Sequence, residues 1–118
     1  MSDHIPFLRR QNQHKIGKAG RKSEVRLAKD LKGRARPGSG SMEGAKGDID
    51  LGEILLEAKS TINSSMSLKH DWLLKIANEA RSEGKTPALS VSFVAPDGKA
   101  IMDGDWCLVP MYVMKEFL

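Results

Sequence analysis

Apolar positions change their period several times along this 118-residue chain, and each change marks a structural element. Between about Gly20 and Lys32, Leu27, Ala28 and Leu31 recur at helical spacing. Ser23 is a candidate cap for that helix, a start nearer Ile16 is the alternative, and Gly33 is the expected stop. Met1–Lys15 is polar and basic with no sustained period, so residues 1–15 read as a flexible basic arm and 16–118 as a single domain. Arg34–Gly47, RARPGSGSMEGAKG, is glycine-rich and reads as a mobile connection.

In DIDLGEILLEAKS two short apolar-bearing runs flank Gly52-Glu53, which predicts a hairpin with a two-residue loop and positive φ at its first position. From Ser67, a candidate cap, SLKHDWLLKIANEARSEG places Trp72, Leu73, Ile76, Ala77 and Ala80 on one helical face and stops at Gly84. Leu89, Val91 and Phe93 alternate with serines in Ala88–Ala95, as in a strand, and Pro96–Lys99 is a turn. Ala100–Met102 and Trp106–Val109 read as short strands, and Pro110 opens a last helix, MYVMKEFL. The order of helix, hairpin, helix, hairpin, helix predicts an α+β fold with a central sheet covered by helices.

Composition narrows the function classes. No run of about 18 apolar residues exists, so a membrane span is not expected. Met1–Arg10 lacks the apolar stretch of a secretory signal. Cys107 is the sole cysteine, which excludes an intramolecular disulfide and a cysteine-rich zinc site, fits a reducing cytosol, and reads as a packing residue. The net charge of +4 is unevenly spread: Met1–Arg36 carries 11 Lys/Arg against 3 Asp/Glu, the remainder 8 against 12. Such a basic segment is the footprint of a protein that meets phosphate backbones, although a solvated tail has the same composition.

The hairpin carries the chemistry. With Gly52 and Glu53 as its loop, Asp50 pairs with Leu55, Ile49 with Leu56, and Asp48 with Glu57. Period-two alternation then puts Asp48, Asp50, Leu55, Glu57 and Lys59 on one face, and Ile49, Leu51, Ile54, Leu56 and Ala58 on the other. Two directly opposed carboxylates repel unless a cation lies between them, and hard oxygen donors suit Mg²⁺ or Mn²⁺. Lys59, on the same face, is placed to orient or deprotonate an attacking water, or to stabilise charge on a phosphorane-like transition state. Glu24 shares the inward stripe of Leu27, Ala28 and Leu31, a costly position unless something pairs with it. A turn different by one residue would bring Asp50 across instead; the two-residue loop favours Asp48.

Asp48, followed nine residues later by Glu57-Ala58-Lys59 and preceded by a helix-borne Glu24, resembles the PD-(D/E)xK nuclease superfamily. More narrowly it is similar to small Holliday-junction resolvases and phage-type DNA endonucleases. The match is close over Ser23–Thr61 and follows the family in outline beyond it, with Gly47 standing where the family name has proline. The resemblance implies a restriction-endonuclease-like αβββαβ core and metal-dependent DNA cleavage in the cytosol of a bacterium or a phage-infected host. It implies Asp48 and Glu57 as metal ligands, joined by Glu24 and the Ala58 carbonyl, and Lys59 as the catalytic lysine. Branched DNA as substrate and a homodimer as the assembly are implied in the same way; Tyr112, Val113 and Phe117 of the last helix are the candidate apolar surface for such a dimer. Arg21, Lys22, Arg34, Arg36 and Lys46 are the candidate phosphate contacts. Two other classes stay open: a non-catalytic DNA-binding protein, and an RNA-processing nuclease.

Other signals carry less. Gly84-Lys85-Thr86 imitates the end of a phosphate-binding loop, but position 79 is Glu79 and a helix precedes it; Gly20-Arg21-Lys22-Ser23 fails because Arg21 interrupts it. His4, His14 and His70 lack metal-ligand spacing. Asp103-Gly104-Asp105 reads as a turn, and Trp72, Met111 and Met114 as packing residues.

Overall fold

A computed structural model describes residues 6–35 and 46–118, with side chains for 18–34 and 48–118. Arg36 and most of the glycine-rich connection therefore lie outside the described residues, as do Met1–Ile5. The elements are α1 (Pro6–Asp30), β1 (Arg34–Ala35), β2 (Lys46–Asp50), β3 (Ile54–Thr61), α2 (His70–Ser82), β4 (Thr86–Val94), β5 (Ala100–Leu108) and α3 (Met111–Lys115). They form an α+β fold in which one mixed sheet, ordered β1-β2-β3-β4-β5, is flanked by helices. Every neighbouring pair is antiparallel except β3 and β4, which run parallel because α2 carries the chain back across the sheet. Among the described residues no helix is long and apolar enough to cross a membrane.

Helix α1 begins at Pro6, well ahead of the start expected near Ile16 or Gly20, and takes in much of the segment read as an arm. Proline at the first helical position costs no hydrogen bond, and the Leu, Arg, Gln and Lys that follow are good helix formers whatever their hydrophobic period. At its other end the left-handed residue is Lys32 (φ 56°), not Gly33. The Gly33 N–H donates to the Ala28 carbonyl (2.8 Å) and the Lys32 N–H to that of Lys29 (3.2 Å), closing the helix. Gly33 is small for another reason: a Cβ there would lie 2.2 Å from Leu51 Cδ2 and 3.0 Å from the Asp50 carbonyl oxygen. Leu31, expected on the inward stripe, is exposed because it lies past the last helical turn.

The β2–β3 hairpin has the predicted register, Asp48 opposite Glu57, Ile49 opposite Leu56 and Asp50 opposite Leu55. Gly52 adopts φ 84° in the loop, and the Leu51 N–H donates to the Ile54 carbonyl. Ile49, Leu56 and Ala58 pack with Leu27, Ala28 and Ala88 into the core beneath α1, with Leu51 at its margin. Ile54, expected with them, is exposed at the start of the strand. The rest of β3 is buried on both faces, so the side holding Glu57 and Lys59 is not a solvent face. This follows from the parallel crossover, which lays α2 over β3 and β4 opposite α1.

Helix α2 starts at His70, with Lys69 rather than Ser67 at the cap position, and no side chain caps it. Ile76 and Ala80 form its buried seam, while Trp72, Leu73 and Ala77 are half-buried. Beyond β4, Asp103-Gly104-Asp105 is not a turn between two strands. It is an irregularity within the single strand β5, with Asp103 at φ 53° and a register shift opposite Ser92–Val94. Two tertiary contacts keep that segment in the strand. The Arg26 guanidinium donates to both oxygens of the Asp105 carboxylate (2.8 Å each), and the Ser92 hydroxyl donates to the same group (2.7 Å). The hydrogen bond from Arg26 holds the Asp105 carboxyl below its usual range. Arg26 also reaches the Gly98 carbonyl (3.2 Å), so α1 is tied to the far side of the sheet two residues from Glu24.

Candidate active site

The hairpin register sets the site. Asp48 and Glu57 are cross-strand partners, a relation that brings Cβ atoms to about 5 Å. Glu57 is only 3% exposed and Lys59 9% exposed. The Lys59 ammonium lies 3.9 Å from Glu57 Oε1, so acid and base sit side by side under α2. On its other side Lys59 Nζ lies 3.9 Å from the centroid of the Trp72 ring. Trp72, expected to be a packing residue of α2, therefore also touches a charge. Its helical position gave no hint of this, because β3 supplies the partner from the neighbouring layer.

Glu24 reaches the same neighbourhood from α1. It is 6% exposed, and its carboxyl pKa is raised to about 7, first by burial and then by the negative charge of Asp48. The charge of Asp48 acts on Glu24, so the helix acid lies within electrostatic reach of that one hairpin acid. Asp48 and Glu57, paired in the ladder, are the first candidate oxygen donors for a hard cation, with Glu24 near Asp48 and the Ala58 carbonyl between Glu57 and Lys59 in the chain as further candidates. Among the described residues no three His, Cys, Asp or Glu side chains close on one point. Mg²⁺ needs fewer, because one or two carboxylates are completed by waters and by substrate oxygens.

Asp50 is engaged differently. Its Oδ1 accepts from the Lys85 ammonium (2.7 Å) and from the Gly52 N–H (2.9 Å), which ties the hairpin turn to the end of α2. Lys85 was legible only as part of a false phosphate-loop signature. The candidate phosphate contacts are dispersed. Arg21 and Lys22 are exposed on α1, and Lys22 abuts Gly98 in the β4–β5 turn, two strands away from β2. Arg34 is exposed in β1 opposite Asp50. Lys46 stands opposite Lys59 in the ladder, which places its backbone at the site; its side chain and all of Arg36 lie outside the described residues.

Compared with protein-family models, with curated proteins and with solved structures, the chain matches none of them.

Proposed function

We propose that this chain is a Mg²⁺- or Mn²⁺-dependent endonuclease that hydrolyses phosphodiester bonds in DNA. The observation that carries the reading is the pairing of Asp48 with Glu57 across the hairpin, with the Lys59 ammonium 3.9 Å from Glu57. Two acids in register beside a buried lysine are a poor device for stability and a good one for phosphoryl chemistry. The element order α1-β1-β2-β3-α2-β4 is compatible with the αβββαβ core of the PD-(D/E)xK superfamily, and the spacing of Asp48, Glu57 and Lys59 supports membership in it.

Asp48 and Glu57 would hold the cation, with the Ala58 carbonyl and Glu24 as further donors. Bound there, it would supply a Lewis acid to a phosphate oxygen and lower the pKa of water. Lys59 does the positioning: its ammonium, fixed between Glu57 and Trp72, donates to the attacking water or to the phosphate oxygens. The water oxygen bonds to phosphorus as one of its protons passes to solvent, one bridging P–O bond breaks, and the leaving oxygen takes a proton from solvent. Glu57 keeps the ammonium at the reaction centre as well as serving as a ligand. Arg34, Arg36 and Lys46 would contact the flanking phosphates. Branched DNA is the favoured substrate and a homodimer the favoured assembly, both by family resemblance. Exposed Tyr112 and Phe117 at the C-terminal helix supply apolar surface for a dimer.

The direct test incubates the protein with linear, flapped and four-way DNA, and with matching RNA, in Mg²⁺ or EDTA, beside Lys59→Ala. Metal-dependent cutting of DNA that Lys59→Ala abolishes is the expected result. Cutting that survives EDTA and the substitution would overturn the mechanism. Preference for RNA, or tight DNA binding with no cleavage, would favour one of the other two classes.

Asp50 gives a narrower prediction. Because its carboxylate serves Lys85 and the turn, Asp50→Asn should cost at most about 1 kcal/mol of stability, a partly exposed ion pair being worth no more. Cleavage should stay near the wild-type rate. Thermal melting and single-turnover cleavage measure the two effects; lost cleavage with unchanged melting would make Asp50 the ligand in place of Asp48.

A further inference from the structure

We infer that Trp72 is a positioning residue for Lys59: the indole face carries the ammonium into the reaction centre. The inference rests on the nuclease reading and adds a residue that the acid-acid-lysine pattern does not contain. Lysine has four rotatable side-chain bonds, so a catalytic lysine on a strand needs something to hold its head group. The Glu57 carboxylate attracts the ammonium from 3.9 Å, a charge contact that fixes its distance more than its direction. The ring adds a directional restraint, with Nζ 3.9 Å from its centroid, well inside the distance at which the π face attracts a cation. Both restraints act where water is largely excluded, since Lys59 is 9% exposed and Trp72 half-buried, and there the attraction is at its strongest. The sequence places them well: Lys59 lies on the side of β3 opposite the α1 core, and Trp72 lies in the first turn of α2, the helix that covers that side.

This role differs from that of a packing residue, which any apolar side chain of similar size would fill, and from that of a base-stacking platform, which would act on DNA affinity. Trp72→Leu should reduce the single-turnover rate on a labelled four-way DNA junction about tenfold, the scale of one desolvated cation–π contact. DNA affinity in Ca²⁺ should change little. Trp72→Phe, which keeps an aromatic face, should restore most of the rate. Tryptophan analogues of increasing fluorination, incorporated at position 72 alone, keep the ring's shape while draining its face of negative charge. They avoid the folding question that Trp72→Leu raises, and the rate should fall stepwise with each fluorine. Equal rates across that series, a Phe variant no better than Leu, or a loss confined to DNA affinity would each overturn the inference and leave the nuclease standing. A wild-type protein that cuts no nucleic acid would overturn the nuclease, and this inference with it.

Discussion

Glu57→Gln should abolish cleavage while leaving the fold in place. The side chain is 4% exposed, lies across the ladder from Asp48 and sits 3.9 Å from the Lys59 ammonium. Glutamine has the same shape, so the space under α2 stays filled, but the charge that would bind a cation and hold Lys59 is gone. The single-turnover rate should fall by about three orders of magnitude, the scale on which a preorganised electrostatic group acts at a reaction centre. Two electrostatic changes act on metal-free stability in opposite directions. Repulsion from Asp48 is relieved, and a buried ammonium loses its neighbouring carboxylate. The melting temperature should therefore move little, whereas stabilisation by added Mn²⁺ should shrink. Quenched-flow cleavage and thermal melting with and without Mn²⁺ measure both effects. A variant that cuts at the wild-type rate would remove Glu57 from the site.

The parts of this fold that could be read in advance are those decided locally. A two-residue loop at Gly52-Glu53 leaves one possible register, so the facing of Asp48 and Glu57 followed from the turn alone. Glu24 was legible as buried because helical spacing ties it to Leu27 and Ala28. What escaped depends on contacts far apart in the chain. The hairpin's polar face carries no mark of the helix that covers it, and α2 arrives only after the loop past Thr61. Asp103-Gly104-Asp105 has the composition of a turn, but Arg26, some eighty residues earlier, holds Asp105 within a strand. Trp72 and Lys85 were invisible as partners of Lys59 and Asp50 for the same reason. Hydrophobic period also failed to show where α1 begins, since that helix continues where its apolar stripe does not.

Glu24 turns the arrangement into a dependence on pH. Burial and the charge of Asp48 raise its carboxyl from 4.5 to about 7 in the folded protein. The folded state therefore holds a proton that the unfolded chain has given up. Stability from this group is fully present below about pH 4.5 and is lost as pH rises through 7. The loss, at most about 3 kcal/mol, is complete near pH 8. Glutamine mimics the protonated acid, so Glu24→Gln should stabilise the metal-free protein at pH 8, by up to roughly 10 °C in melting temperature. At pH 4.5 variant and wild type should melt together, because both are then neutral at this position. Added Mn²⁺ should reverse the order at pH 8, since a cation rewards the ionised acid and finds one donor fewer in the variant. Cleavage by the variant should fall even though its fold is the more stable, the pattern expected where an acid is kept for chemistry at the expense of packing. Melting curves that run parallel from pH 4.5 to 8, or a variant that Mn²⁺ stabilises as much as wild type, would separate Glu24 from the hairpin acids and leave only Asp48 and Glu57 to hold the ion.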